Sequence, residues 1–187
     1  MTMLENSRGD WMQTATGRRF WPMDPRADDV SIEDIAHALS MLCRFGGHCL
    51  KFYSVAEHSV LLSRLAPPQY KLWALLHDAA EAYMVDLPRP LKSSLPEYKV
   101  AEAKVMRAIS VRFHLHLGCP DEVKALDQAI LADEREQNMA ESSHPWEQRM
   151  PDPLGIKLQF WDPERARAQF LAQFDALYHP RDAWWPL

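Results

Sequence analysis

Apolar residues recur at helical spacing in successive stretches of this chain, and turn-forming residues separate the stretches. The first carries Ile32, Ile35, Ala36, Leu39 and Leu42 behind Ser31, which suits an N-cap with Asp34 at N3, and it stops before Gly46-Gly47. The second opens on Ser54 and Glu57 in the S-x-x-E spacing of a capping box, and His58, Leu61, Leu62 and Leu65 fall on one face behind it. Pro67-Pro68 closes that helix. A third helix is predicted over residues 69–85 through Leu72, Trp73 and Leu76, a fourth over 96–115 through Val105, Ile109 and Phe113, and a fifth from Pro120 through Val123, Ile130 and Leu131. Between the third and the fourth, Pro88 and Pro90 forbid a regular helix and predict a short stiff loop reaching Lys92. Residues 142–161, with Pro145, Pro151, Pro153 and Gly155, read as a long loop. Asp162-Pro163 then caps a last amphipathic helix bearing Phe170, Leu171, Phe174 and Leu177. Residues 11–30 suit a short hairpin or extended arm turning at Gly17. The expected fold is an all-α helical bundle of roughly six or seven helices with a short N-terminal hairpin.

Length and composition sharpen this picture in a few places. A chain of 187 residues suits a single domain, 1–187, with about 1–30 as an N-terminal arm and about 142–187 as loop and C-terminal helix. A net charge of −5 gives no general attraction for a nucleic acid polymer or a membrane, so a phosphate-bearing substrate has to be captured by local cations. Cys43, Cys49 and Cys119 are too few and too irregular for a disulfide framework, which points to a reducing, cytoplasmic setting. No run of about 18 apolar residues suggests a membrane span, and the N-terminus lacks the apolar centre of a signal peptide. The aromatic tail Trp184-Trp185 reads as a docking patch against the core or a second subunit, which leaves a homo-oligomer open.

The chemistry lies in charges placed on faces that should be apolar. His58 points inward with the leucines of its helix, His77 and Asp78 interrupt the apolar run of theirs, and Asp127 sits on the stripe of Val123 and Ile130. Burying an unpartnered carboxylate costs on the order of 3 to 5 kcal/mol. Convergence of these four groups on one cation removes all of these penalties together. Two imidazoles and two carboxylates suit a divalent transition ion such as Mn, Co, Ni, Fe or Zn better than Ca, which prefers all-oxygen cages. Four protein ligands leave room for water, whose pKa such an ion lowers towards neutrality, and for a phosphoryl oxygen, which it polarises. On the third helix Glu81 stands four residues after His77 and three after Asp78, so all three can border one cavity.

In these residues the chain resembles the HD-domain metal-dependent phosphohydrolase superfamily, with its ordered His, His-Asp and Asp ligands. The likeness is closer to the small 5'-deoxynucleotidase-like branch. It is carried by S-x-x-E-H-S at residues 54–59, H-D-A-A-E-A-Y-M-V-D-L-P-R-P-L-K at 77–92 and V-K-A-L-D at 123–127. These segments lie within about 44–131; the first 30 residues and the last 50 carry no likeness. The resemblance implies His58, His77, Asp78 and Asp127 as metal ligands, and Glu81 with Asp86 as acid/base or water-orienting groups. It implies Arg44 as a phosphate-binding arginine, with Lys92 as a second candidate; a guanidinium fork suits phosphate oxygens.

The implied function is hydrolysis of a 5'-(deoxy)nucleotide by metal-activated water attacking phosphorus, releasing phosphate from a (d)NMP. The alternative is a dNTP triphosphohydrolase releasing deoxynucleoside and triphosphate, in which Mg ions or Arg89 and Lys92 would hold the added phosphates. An HD-type oxygenase or cyclic-dinucleotide phosphodiesterase would need further histidines between the His-Asp pair and Asp127, where His114 and His116 alone occur. A non-catalytic nucleotide-binding regulator would have no use for Glu81 beside a metal. Bland readings compete throughout: the four ligands as hydrogen-bonded buried groups, Glu81 as a partner of a histidine, Asp86 as a cap, and Arg44 or Lys92 in surface salt bridges.

Overall fold

The computed structural model describes residues 8–144, 146 and 151–179. The chain begins with an antiparallel hairpin, β1 (Met12–Gln13) and β2 (Arg19–Phe20), in which Met12 lies opposite Phe20 and Gln13 opposite Arg19. Gly17 makes the reversal at φ +80°, a region that a Cβ disfavours. Then follow α1 (Ile32–Met41), α2 (Val55–Leu65), α3 (Lys71–Leu76), α4 (Glu81–Met84), α5 (Arg89–Ser93), α6 (Pro96–Arg112), α7 (Asp121–Asn138) and α8 (Pro163–Leu177). The all-α class and the short N-terminal hairpin expected from the sequence are thus what the structure shows. No helix among the described residues is long and apolar enough to cross a membrane. Trp184 and Trp185 lie outside the described residues.

Three helix starts are set by local side-chain hydrogen bonds. Ser31 accepts from Asp34 N, Ser54 from Glu57 N and Asp162 from Arg165 N, each satisfying an amide that has no partner within its own helix. The helices pack around α2, against which α3, α8 and α1 lie. One apolar cluster, with Phe20, Ile35, Leu39, Leu76, Ile109 and Phe170, takes Val55, Ala56 and Val60 from α2. A second, with Tyr53, Trp73, Val123, Ile130 and Leu158, takes Leu61 and Leu62. His58 is fully buried on this same helix.

Three local features differ from the sequence pattern. The helix predicted over 69–85 is two helices, because residues 77–80 tighten into turns with bonds such as Ala79 N to Leu76 O and Glu81 N to Asp78 O, both 3.0 Å. In such turns residues three apart eclipse, which brings Asp78 and Glu81 to one side. The short stiff loop predicted on the ground that two prolines forbid a regular helix contains α5; Pro88 is its N-cap and Pro90 lies in its first turn, where no helical hydrogen bond is forfeited.

The third difference concerns Glu57. The capping box is made by Ser54, but the fully buried Glu57 carboxylate reaches away and accepts the backbone amides of Gln159 (2.7 Å), Phe160 (3.0 Å) and Trp161 (2.6 Å). The described residues between α7 and α8 form no helix or strand, and side chains hold them in place. Asp133 accepts from Leu154 N and Ile156 N at 2.7 and 2.9 Å, and Gln137 accepts from Leu158 N at 3.1 Å. Glu57→Ala leaves these three amides without their acceptor, so it should destabilise the protein by on the order of 3 kcal/mol, seen as a lower urea midpoint at unchanged slope. A loss of less than about 1 kcal/mol would show that water replaces the carboxylate.

Candidate metal centre

Three pieces of the fold deliver the four donors. Ser54 fixes the start of α2 and so the inward direction of His58 in its first turn. The tightened turn after α3 presents His77 and Asp78. Asp127 comes from α7, whose apolar residues Val123 and Ile130 are wholly buried. The side chains meet. His58 Nε2 lies 3.3 Å from His77 Nε2, 3.2 Å from Asp127 Oδ1 and 3.7 Å from Asp78 Oδ2. His77 Nε2 lies 3.2 Å from Asp78 Oδ2 and 3.6 Å from Asp127 Oδ1.

Hydrogen bonds on the far side of each ring fix which nitrogen faces the cluster. His77 Nδ1–H donates to the Ala74 carbonyl at 2.8 Å, and His58 Nδ1–H donates to Glu134 Oε1 at 2.7 Å. A neutral ring so anchored turns a bare Nε2 inward. Four lone-pair donors therefore face one another without a proton between them, an arrangement that a cation or added protons must relieve. Ligands about 2.1 Å from one ion stand about 3.0 Å apart at right angles and about 3.4 Å apart at the tetrahedral angle, close to the separations found here. His58, His77 and Asp127 have one donor atom each within 4.8 Å of the others and can hold a metal ion, with Asp78 alongside.

The same crowding governs protonation. Burial works against charge on both rings, but Asp78 and Asp127 outweigh it and hold His77 well above its ordinary range. Burial and Arg44 oppose charge on His58, and Glu134 with Asp127 still raises it. Against burial, His77 foremost brings Asp78 down to about 2, while His58 and His77 hold Asp127 far below the usual carboxylate range. Glu81 moves the opposite way. Burial, then the charges of Asp78 and Asp86, push its carboxyl up to about 9.

Arg44 reaches the cluster from the turn Arg44–Gly47, which an isolated bridge between Cys43 and Ser54 ties to the start of α2. Its Nη1 lies 3.5 Å from Asp78 Oδ2 and its Nη2 3.1 Å from Glu134 Oε2, while Nε is buried with no hydrogen-bond partner among the described residues. Phe45, next to it, has φ +56°, and so does Val85, next to Asp86, a costly conformation for residues with a Cβ. Lys92 binds Asp86 at 2.8 Å and Glu102 at 2.7 Å. Among the described residues neither Asp86 nor Lys92 shares a hydrogen bond or ion pair with His58, His77, Asp78 or Asp127.

Sequence reasoning passed over Glu134. It stands seven residues after Asp127 on α7, a spacing that returns to the same helix face, and this second carboxylate on a buried stripe was its available signal. It also read Glu57 as a cap alone.

No family model matches the chain. It is 44% identical over 125 residues to the uncharacterized protein YfdR of Escherichia coli (strain K12), covering 67% of this chain and 70% of the relative. It is 34% identical to the uncharacterized protein RCAP_rcc00048 of Rhodobacter capsulatus, over 89% of this chain and 95% of the relative.

The raised groups set a pH dependence for the metal-free protein. His58, His77 and Glu81 bind protons more tightly folded than unfolded, so their stabilisation is fully present below the unfolded values, 6.5 for the histidines and 4.5 for Glu81. It is lost as pH rises through the folded values, about 9 for Glu81. Chelator-treated protein should melt at progressively lower temperature as pH rises from 6.5 to about 9, and a divalent ion should flatten that slope. Binding of the ion in this window should release protons, measured as a calorimetric heat that varies with the buffer's ionisation enthalpy. Stability rising with pH in this window would contradict the clustering of these groups.

Proposed function

Since the chain belongs to the family of the uncharacterized proteins YfdR and RCAP_rcc00048, whose names assign no reaction, we propose its function from its own donor cluster: metal-dependent hydrolysis of 5'-(deoxy)nucleotides of the HD-domain type, releasing phosphate from a (d)NMP. The observation that carries this reading is the meeting of His58, His77 and Asp127 with Asp78 at 3.2 Å from His77, beside the upshifted Glu81. The order His, His-Asp, Asp along the chain and the H-D-x-x-E and D-L-P-x-P-x-K segments support the same reading.

His58, His77, Asp78 and Asp127 would hold a divalent transition ion. Such an ion supplies Lewis acidity, polarising a phosphoryl oxygen and lowering the pKa of water. The chain's residues do the rest. Glu81, which burial and the charges of Asp78 and Asp86 keep protonated near neutrality, would give its proton to the 5'-oxygen as water attacks phosphorus and that oxygen leaves with the electron pair of its P–O bond. Asp86, whose charge reaches Glu81, would orient the water or take up its proton, its carboxylate steadied by Lys92 at 2.8 Å. Arg44 would offer guanidinium N–H groups to the phosphate oxygens.

One observation favours the monophosphate over a triphosphate. Lys92 pairs with Asp86 and Glu102 and touches none of the four donors, whereas Arg44 lies 3.5 Å from Asp78, so among the described residues one guanidinium contacts the cluster, and it suits one phosphate.

A screen of nucleoside mono-, di- and triphosphates with added Mn or Co, measuring both phosphate and inorganic triphosphate, should yield phosphate from deoxynucleoside monophosphates. Stoichiometric triphosphate from dNTPs with monophosphates untouched would select the triphosphohydrolase. Inertness towards every nucleotide under full metal occupancy would end the hydrolase reading. Glu81→Gln should keep the metal and lose about 10²- to 10⁴-fold in rate. Turnover near that of the wild type would assign Glu81 a structural part.

A further inference from the structure

We propose that Glu134 is a positioning residue that aims both the metal-binding ring of His58 and the phosphate-binding guanidinium of Arg44 with a single carboxylate. The inference rests on the reading of those two residues given above. Glu134 is fully buried on α7. Its Oε1 accepts from His58 Nδ1–H at 2.7 Å and its Oε2 from Arg44 Nη2 at 3.1 Å, so each oxygen serves one partner on a different element. A carboxylate accepts and does not donate here, which obliges His58 to put its proton on Nδ1 and turn a bare Nε2 toward His77 and Asp127. One turn on, Asn138 accepts from Lys51 N at 2.8 Å and donates to Lys51 O at 3.0 Å, pinning the loop after Arg44 to the same helix. One rigid helix thereby spaces Asp127, His58 and Arg44 relative to one another.

An amide cannot replace this carboxylate. Glutamine has one acceptor, so its NH₂ must face either the His58 Nδ1–H or the Arg44 guanidinium, donor against donor. Glu134→Gln should therefore bind Co²⁺ about 10- to 100-fold more weakly, with shifted visible d–d bands. The cobalt-saturated variant should also bind inorganic phosphate more weakly. Arg44→Met, which leaves the Glu134–His58 contact in place, should lose phosphate affinity and keep Co²⁺ affinity within about threefold. A role confined to packing would lower the melting temperature and leave the cobalt bands unmoved. If Glu134→Gln fails to fold, ¹⁵N spectra of the zinc-loaded wild type decide: a hydrogen-bonded Nδ1–H on His58 supports the inference, and a ring protonated on Nε2 overturns it. Wild-type cobalt affinity and unchanged bands in a folded Glu134→Gln would also overturn it, with the metal site intact. Absence of Co²⁺ binding by the wild type would instead strike the metal reading itself, and this inference with it.

Discussion

Two imidazole nitrogens lie 3.3 Å apart and 3.2 to 3.7 Å from carboxylate oxygens of Asp78 and Asp127, contacts that repel wherever the rings are neutral, and much of the local architecture resists that repulsion. The anchoring is all on the outer side. Ala74 O holds one ring and Glu134 the other, Ser54 fixes the start of the helix carrying His58, and the eclipsed turn after α3 aims Asp78. A buried glutamate would ordinarily add to the excess of negative charge, but Arg44 and His58 flank Glu134 and hold it below the usual carboxylate range against its burial. Positive and negative groups thus alternate outward from the cluster.

Among the described residues, four non-glycine residues have left-handed backbone, Phe45, Val85, His114 and Phe160. Two of them, Phe45 and Val85 at φ +56°, each adjoin a residue proposed for the chemistry, Arg44 and Asp86. Left-handed conformations at such residues cost of order 1–3 kcal/mol and persist where their surroundings fix them. The surroundings do so here. Tyr98 donates its hydroxyl hydrogen to Val85 O, Lys92 clasps Asp86, and Asn138 holds the loop beyond Phe45.

What the sequence made legible was local or periodic. Ser31, Ser54 and Asp162 announce helix starts because a cap bonds an amide three residues away, and apolar periodicity located α1, α2, α6, α7 and α8. His58, His77, Asp78 and Asp127 stood out as polar intrusions on apolar faces. The turn at 77–80 did not, since nothing in Ala79-Ala80 forbids a continuous helix and tertiary demands break it. The start of α5 was misjudged because proline excludes itself from a helix interior and not from a first turn. Glu57 and Glu134 were obscure for another reason: their partners lie far along the chain, and helical spacing carries no information about which distant backbone or ring a side chain will meet.

That distance bears on how the molecule comes into being. His58 is 76 residues from Glu134, and Glu57 is 104 residues from Trp161. During synthesis α2 leaves the ribosome long before the groups that orient its histidine, and closing loops of that length is slow compared with forming the helices themselves. The nascent α2 carries polar side chains destined for the interior but still without partners. Assembly of the cluster therefore comes late in folding, after α7 has supplied Asp127 and Glu134.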